Sequence, residues 1–295
     1  MELGSLRLHL LSDGEFRLDG GAMFGVVPKP LWEKEKPADA RNRIRMATNC
    51  LLVESGRDLV LVDSGLGDKH DEKFRDLYGF AATRRTLLDS LAAAGFAPED
   101  VTHVLLSHLH FDHCGWNTRD TGGGRLVPTF GRARYLLERG EVEHARHANE
   151  RDRASYFAEN WEPLFAAGVA ELYDGGGEGA EIARGVRAVK APGHNADLCI
   201  VLLDGGASDA RAVFWADLVP TTAHVPYPWI MSYDLFPLTT LESKKRWIPQ
   251  AAAGRWLSIF EHDAETPLAR IVETKPGRFR AEPIPVEAEW LSTRT

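Results

Sequence analysis

The sequence predicts an α/β protein built from two layered halves that share one core. Three observations carry that expectation. Short apolar runs bounded by Asp-Gly, Ser-Gly and Gly-Leu-Gly punctuation recur along the chain and have the length and flanks of strands. The pattern of strands, then a helix, then a buried strand occurs twice. No Pro-rich linker divides the two occurrences, so one domain over residues 1–295 is expected, although about 150 residues per domain would allow two.

In order along the chain, residues 6–11, 16–18, 50–54 and 59–62 read as a meander of paired strands. Residues 83–95, TRRTLLDSLAAAG, carry Leu87, Leu88 and Leu91 at helical spacing and stop at Gly95, after which 101–106 is a buried strand. Residues 138–165 read as helical, and DGGGEG at 174–179 as a loop. In the second half 186–190, 198–203, 212–215 and 256–260 read as strands, with a helix at 242–253 before the last.

Composition excludes several classes of partner. Lys plus Arg total 35 against 43 Asp plus Glu, a net charge of −8, and the cations form no block that could track a phosphate backbone, so nucleic acid is not a partner. No run of 18 apolar residues occurs, and the first residues show no basic stretch followed by an apolar one. The expectation is a cytoplasmic protein with no membrane association. Cys50, Cys114 and Cys199 are scattered, so neither disulfides nor a thiolate zinc cluster is indicated, and Cys114 reads as a small buried hydrophobe.

The chemistry concentrates in SHLHFDHCGW, residues 107–116, directly after the apolar run Val104, Leu105 and Leu106. In an extended segment side chains alternate, so His108, His110 and Asp112 point one way, while His113 follows as the chain turns. Imidazole and carboxylate suit divalent zinc, iron or manganese, and three His with one Asp exceed what a single structural site takes from so short a loop. Two ions about 3.5 to 4 Å apart would use them all. Further candidates stand at strand ends: His194 in APGH, Asp217 in FWAD and His262 in IFEHD. The isolated His9, His70, His103, His144 and His147 read as ordinary solvated or hydrogen-bonded side chains.

This ordered constellation, HxHxDH followed by a distant Pro-Gly-His, an Asp after a buried strand and a final His, resembles the metallo-β-lactamase superfamily over essentially the whole chain. VLVDSGLG at 60–67 is similar to the family's Asp-Thr-Gly turn. The resemblance implies a four-layer αββα sandwich and two divalent ions, zinc foremost, with iron or manganese also suited. His108, His110 and His194 would hold the first ion, and Asp112, His113 and His262 the second. Asp217 would bridge them, and Asp63 would fix the loop that bears ligands. Asp112 would carry the proton.

HLHFDH with FEHD resembles the branch containing quorum-quenching N-acyl-homoserine lactonases and methyl parathion hydrolases. GGAMFGVVPKPLWEK and DLVPTTAHVPYPWIMSYD look like the lactonases known as YtnP-like. Those two stretches bring Met23, Phe24, Trp32, Tyr227, Trp229, Met231 and Tyr233 to loops, where they either join the core or wall an apolar substrate pocket. His224 is placed at the same mouth.

Two departures stand out. Pro220 occupies the position where the best-known lactonases carry a Tyr, and Gly193-His194-Asn195-Ala196-Asp197-Leu198 lacks the family's second Gly and second His. The implied activity is hydrolysis of a small lactone or ester. Phosphotriesterase or arylesterase action, an iron-dependent oxidoreductase and a non-catalytic metal-binding protein stay open, as does a homodimer.

Overall fold

The computed structural model describes residues 1–81, 85–207 and 210–285. Alternating large apolar residues build a first sheet from β1 (Glu2–Leu3), β2 (Leu6–Asp19), β3 (Arg43–Ser55), β4 (Asp58–Val62) and β5 (His103–Leu105). A small hairpin of β6 (Thr118–Asp120) and β7 (Leu126–Pro128) intervenes before β8 (Arg134–Glu138) and β9 (Ala170–Tyr173) complete it. The order is β1-β2-β3-β4-β5-β8-β9, antiparallel as far as β4 and parallel beyond it. The second sheet follows sequence order through β10 (Ala180–Ala183), β11 (Val186–Lys190), β12 (Cys199–Asp204), β13 (Arg211–Phe214), β14 (Leu257–Ile259), β15 (Leu268–Lys275) and β16 (Arg278–Pro283). Here β13 and β14 are parallel and the other neighbours antiparallel.

The two sheets face each other. Leu8, Leu51, Val53, Val60 and Val62 from the first share one buried cluster with Val186, Val201, Leu203, Ala212 and Phe214 from the second. On its other face the first sheet buries Leu52, Leu61 and Val104 against Leu87 and Leu91 of the helix Leu87–Ala93. The helix Pro237–Ala253 packs on the second sheet through Trp247, Ile248 and Ala251. The layering is helix, sheet, sheet, helix, as expected of an αββα sandwich. No helix among the described residues is long and apolar enough to cross a membrane.

Three local expectations differ. Residues 6–11 and 16–18 belong to one strand, with a bulge between Ser12 and Glu15 where a break was expected. The bulge turns Asp13 inward, where its carboxylate accepts from the amides of Leu66 (2.7 Å) and Leu87 (2.7 Å) and from the Trp116 indole (2.8 Å). The helix expected over 83–95 is described from Leu87, with Thr86 and Asp89 forming its capping box, while Thr83 and Arg84 lie outside the described residues. The continuous helix expected over 138–165 is two helices, Arg139–Arg146 and Glu162–Ala166. Between them Asn149 and Asp152 bond to nearby backbone and side chains in place of helix, and Pro163 starts the second one, where its missing N–H costs nothing.

The mixed topology places the functional residues. Each sheet is antiparallel up to its fourth strand, which pairs in parallel with the fifth, so the carboxyl ends of β4 and β5 open on one side, as do those of β13 and β14. Loops leaving parallel strands at such switch points form crevices. The backbone of β3 ties the halves together there: the amides of Ala47 and Asn49 donate to the carbonyls of His262 (3.1 Å) and Glu261 (2.9 Å).

Candidate metal centre

From β5 the chain enters the crevice through Ser107. Extended backbone continues only to His110, and residues Phe111–Cys114 close a single helical turn. Asp112 and His113 therefore arrive from helical backbone, unlike the alternation that orients His108 and His110. Gly115 ends the turn where a Cβ would stand 2.1 Å from the carbonyl carbon of Leu66, so only glycine lets the two loops touch. On the other side, Gly193 at φ +148° packs against Thr240 and delivers His194. Asp217 follows Ala216, a non-glycine residue at φ +45°, the kind of strained backbone that packing must hold in place.

The structure brings His108, His110, Asp112, His113, His194, Asp217 and His262 together, all buried, in two groups. His108, His110, His194 and Asp217 form one, with ligand atoms within 4.8 Å of one another; Asp112, His113 and His262 form the other. Asp217 reaches both, with Oδ2 3.2 Å from His194 Nε2 and Oδ1 3.0 Å from His262 Nε2. His110 Nδ1 lies 3.0 Å from His194 Nε2, and His262 Nε2 lies 3.2 Å from His113 Nε2. His108 Nε2 and His110 Nε2 are buried with no hydrogen-bond partner. Ring nitrogens left without a hydrogen-bond partner, together with others turned toward one another beside carboxylates, are a donor set that divalent zinc, iron or manganese fits.

The outward nitrogens are held as well. His113 Nδ1 lies 3.0 Å from Asp63 Oδ2 and 2.9 Å from Glu261 Oε2. Asp63 also accepts from the Ser107 amide (2.7 Å) and hydroxyl (2.6 Å), which fixes the start of the ligand loop. His194 Nδ1 donates to Asp234 (3.0 Å), and His262 Nδ1 donates to the Ala47 carbonyl (2.8 Å). These partners set each ring's tautomer and orientation. Glu261 and Asp234 were not singled out by sequence reasoning. The one available signal is that Glu261 adjoins His262 at the end of an apolar strand, where a solvated carboxylate is out of place.

Electrostatics divides the cluster. Burial, reinforced by neighbouring imidazoles, pushes His108 and His110 well below the ordinary histidine value and keeps their lone pairs free. Against the cost of burial, His262, His194 and His113 hold the Asp217 carboxyl well below the usual range. Burial also opposes charge on His262, but Asp217 overcomes it and raises the ring to about 9.

Residues 43–119 match the model of the metallo-beta-lactamase superfamily. That stretch runs from β3 through the HxHxDH loop to the start of β6 and is metallo-β-lactamase-like. It is 28% identical over 154 residues to an N-acyl homoserine lactonase of a Bacillus species, an alignment covering 49% of this chain and 53% of that one. The chain thus spans about half the length of the first curated relatives it matches. A solved structure of a probable metal-dependent hydrolase from Staphylococcus aureus superposes with a TM-score of 0.85 at 27% identity, over 97% of this chain and all of that one. A dizinc quorum-quenching lactonase in complex with a product shares the fold, with a TM-score of 0.76 at 24% identity over 97% of both chains.

A cavity of about 470 Å³ opens onto His110, Asp112, His194, Asp217 and His262. That volume suits a small-molecule ligand. Of the residues expected in its wall, Met23, Met231 and Tyr233 line it. Phe24, Trp32 and His224 do not, and the expectation is corrected: they are core. Phe24 is sandwiched between His224 (ring centroids 4.7 Å apart) and Trp32 (5.2 Å). His224 Nε2 donates to the Met23 carbonyl, and burial drives its pKa down to about 3. Trp229 meets Phe24 edge-on and faces a different cavity, and Tyr227 packs on Phe279 away from the site. Leu18, Ala22, Tyr78, Phe111 and Leu235 take the vacated places in the wall.

His9, His103 and His144 bond to Glu54, Thr102 and Asp152, His70 to the Leu66 carbonyl, and His147 is exposed. Cys114 is buried, with its thiol pushed up to about 12 by burial.

Proposed function

We propose that this chain is a dinuclear metal-dependent hydrolase that opens lactone rings of the N-acyl-homoserine type, residues 1–295 acting as one domain. The observation that carries the reading is Asp217, whose two oxygens face His194 and His262 at 3.2 and 3.0 Å. A carboxylate so placed would serve one ion held by His108, His110 and His194 and another held by Asp112, His113 and His262. The similarity to lactonases over half the chain supports the choice of substrate.

Two divalent ions held there, zinc foremost, would supply Lewis acidity toward the scissile carbonyl and a hydroxide near neutral pH. The chain's own residues do the rest. Asp112, in the cavity wall, accepts the proton that the attacking water gives up and passes it to the alkoxide oxygen freed when the ring C–O bond breaks. Leu18, Met23, Met231 and Leu235 hold an acyl chain and exclude water. Pro220 offers no hydroxyl, so the phenols of Tyr78 and Tyr233, which line the same cavity, donate to the substrate carbonyl.

A second reading, hydrolysis of aryl esters or phosphotriesters, is favoured by Pro220. Its carbonyl is occupied by the His262 amide at 3.0 Å, and substrates with good leaving groups need less polarisation. The test is a metal count together with turnover of lactones, aryl esters and a phosphotriester by wild type and Asp217→Asn. Two ions per chain, lactones preferred, and a loss of several orders of magnitude in the variant are expected. Near-wild-type turnover by Asp217→Asn, or preference for the phosphotriester throughout, rejects the lactonase reading.

A further inference from the structure

The helix Pro237–Ala253 turns three polar side chains inward on one face, Thr240, Ser243 and Lys244, all buried. Thr240 donates to Asp234 (2.6 Å), the carboxylate that holds His194, and Ser243 donates to the Pro192 carbonyl (2.6 Å), two residues before that ring. Lys244 is fully buried, and among the described residues no carboxylate pairs with it. Its Nζ lies 2.7 Å from the His224 carbonyl, 2.8 Å from that of Pro226 and 2.9 Å from that of Trp229, with the Tyr227 carbonyl at 3.4 Å. An ammonium has three N–H donors, so three close carbonyls use it completely.

Those carbonyls belong to a segment with little else to shape it. Beyond the short turn Thr222–His224, residues 225–233 hold no helix or strand, and the bonds within them are single turns such as that from the Trp229 amide to the Pro226 carbonyl (3.1 Å). The same segment runs directly into Met231, Ser232, Tyr233 and Leu235, which line the cavity beside His194 and Asp217. Three carbonyls converging on one buried point are costly to leave unpaired, so the path of this chain depends on the cation between them. We propose that Lys244 is a positioning residue, a cation tethered inside the fold that fills a three-carbonyl nest and thereby sets the cavity wall at 231–235, and that without its side chain the nest takes ammonium. The planar fork of an arginine does not match a tripod of carbonyls, and an apolar side chain leaves all three unpaired. The role concerns the shape of the wall, and only a turnover measurement on it rests on the hydrolase reading.

Metal-loaded wild type, Lys244→Ala and Lys244→Met are compared by amide hydrogen exchange, in ammonium chloride and in tetramethylammonium chloride at equal ionic strength. Lys244→Ala is expected to speed exchange over residues 224–236 by about tenfold or more, the loss of a hydrogen bond to a charged group, and to leave the strands of both sheets unchanged. Ammonium, which supplies N–H donors, slows that exchange again; tetramethylammonium, which has none, does not, and neither ion helps Lys244→Met, whose side chain fills the space. With N-hexanoyl homoserine lactone and phenyl acetate as substrates, Lys244→Ala should raise KM about tenfold with kcat little changed, and ammonium should reverse the rise. If wild type turns over neither compound, the hydrolase reading fails while exchange still decides the role of Lys244. Faster exchange spread evenly over both sheets would make Lys244 a contributor to global stability alone, unchanged exchange over 224–236 would show that the wall stands without it, and equal rescue by the two salts would remove the nest; each overturns the proposal. Should Lys244→Ala fold in neither salt, Lys244→Gln, with two donors and no charge, takes its place, and unaltered exchange over 224–236 in that variant overturns the proposal in the same way.

Discussion

Lys36 and Asp263, 227 positions apart, form a buried ion pair at 2.7 Å. The carboxylate also accepts from the Thr222 hydroxyl (2.6 Å) and the Thr266 amide (2.9 Å), so one Asp next to His262 anchors three segments. Removing one member of a buried pair leaves the other uncompensated and costs about 3–5 kcal/mol. Lys36→Met should lower stability by an amount in that range, read as the denaturation midpoint at pH 7. A change below about 1 kcal/mol, the worth of an exposed pair, would mean the pair is open to solvent.

The corrected wall separates specificity from stability. Phe24→Ala removes a fully buried ring and should cost about 3–5 kcal/mol, with chain-length preference unchanged. Met231→Ala lines the cavity and should shift the preferred acyl chain by one or two carbons, each buried methylene being worth about 0.8 kcal/mol. Kinetics over a chain-length series, beside denaturant melts, checks both, and the reverse pattern would return Phe24 to the pocket.

His224 makes acid stability testable. Its folded pKa of about 3 lies below the ordinary 6.5, because burial disfavours the charged ring. The unfolded chain therefore binds the extra proton first. The stability contributed by the neutral ring is present above pH 6.5 and is lost as pH falls through the window from 6.5 to about 3. The slope is about 1.4 kcal/mol per pH unit within that window. His224→Gln should flatten the fall in denaturation free energy between pH 6.5 and 5. An unchanged slope would assign acid sensitivity to other groups.

If the proposed ions are bound, stripping them should loosen the centre without unfolding the sheets, since the sheets pack on each other through strand residues such as Leu8, Val53, Val201 and Phe214. Chelation is expected to lower the thermal midpoint while leaving the far-ultraviolet spectrum nearly intact, and readdition of zinc should restore it. His262→Ala should retain one ion in place of two. Retention of two would show that His262 does not hold the second.

Much of this architecture was legible because the informative residues follow apolar strands. His108 and His110 come directly after Val104 to Leu106, and Asp217 and His262 after strands of the second half, so position and residue type agreed. What stayed hidden depends on partners distant in sequence. Asp13, Asp234 and Glu261 read as ordinary acids until the fold surrounds them with amides and imidazoles. The bulge at Asp13 looked like a turn because Asp-Gly signals both. Aromatic residues on loops were undecidable by composition: Phe24 and Tyr233 differ only in which neighbours the packing gives them.

The stack of His224, Phe24 and Trp32 has a consequence for how this protein can change over generations. It is a keel beneath the cavity, and substitutions there are purged for instability before any new chemistry can be sampled. Leu18, Ala22, Met231 and Leu235 line the cavity outside it and are free to drift. A lineage can exchange one small molecule for another by repainting those four positions, while the keel keeps the mouth the same shape and leaves the seven clustered His and Asp positions undisturbed.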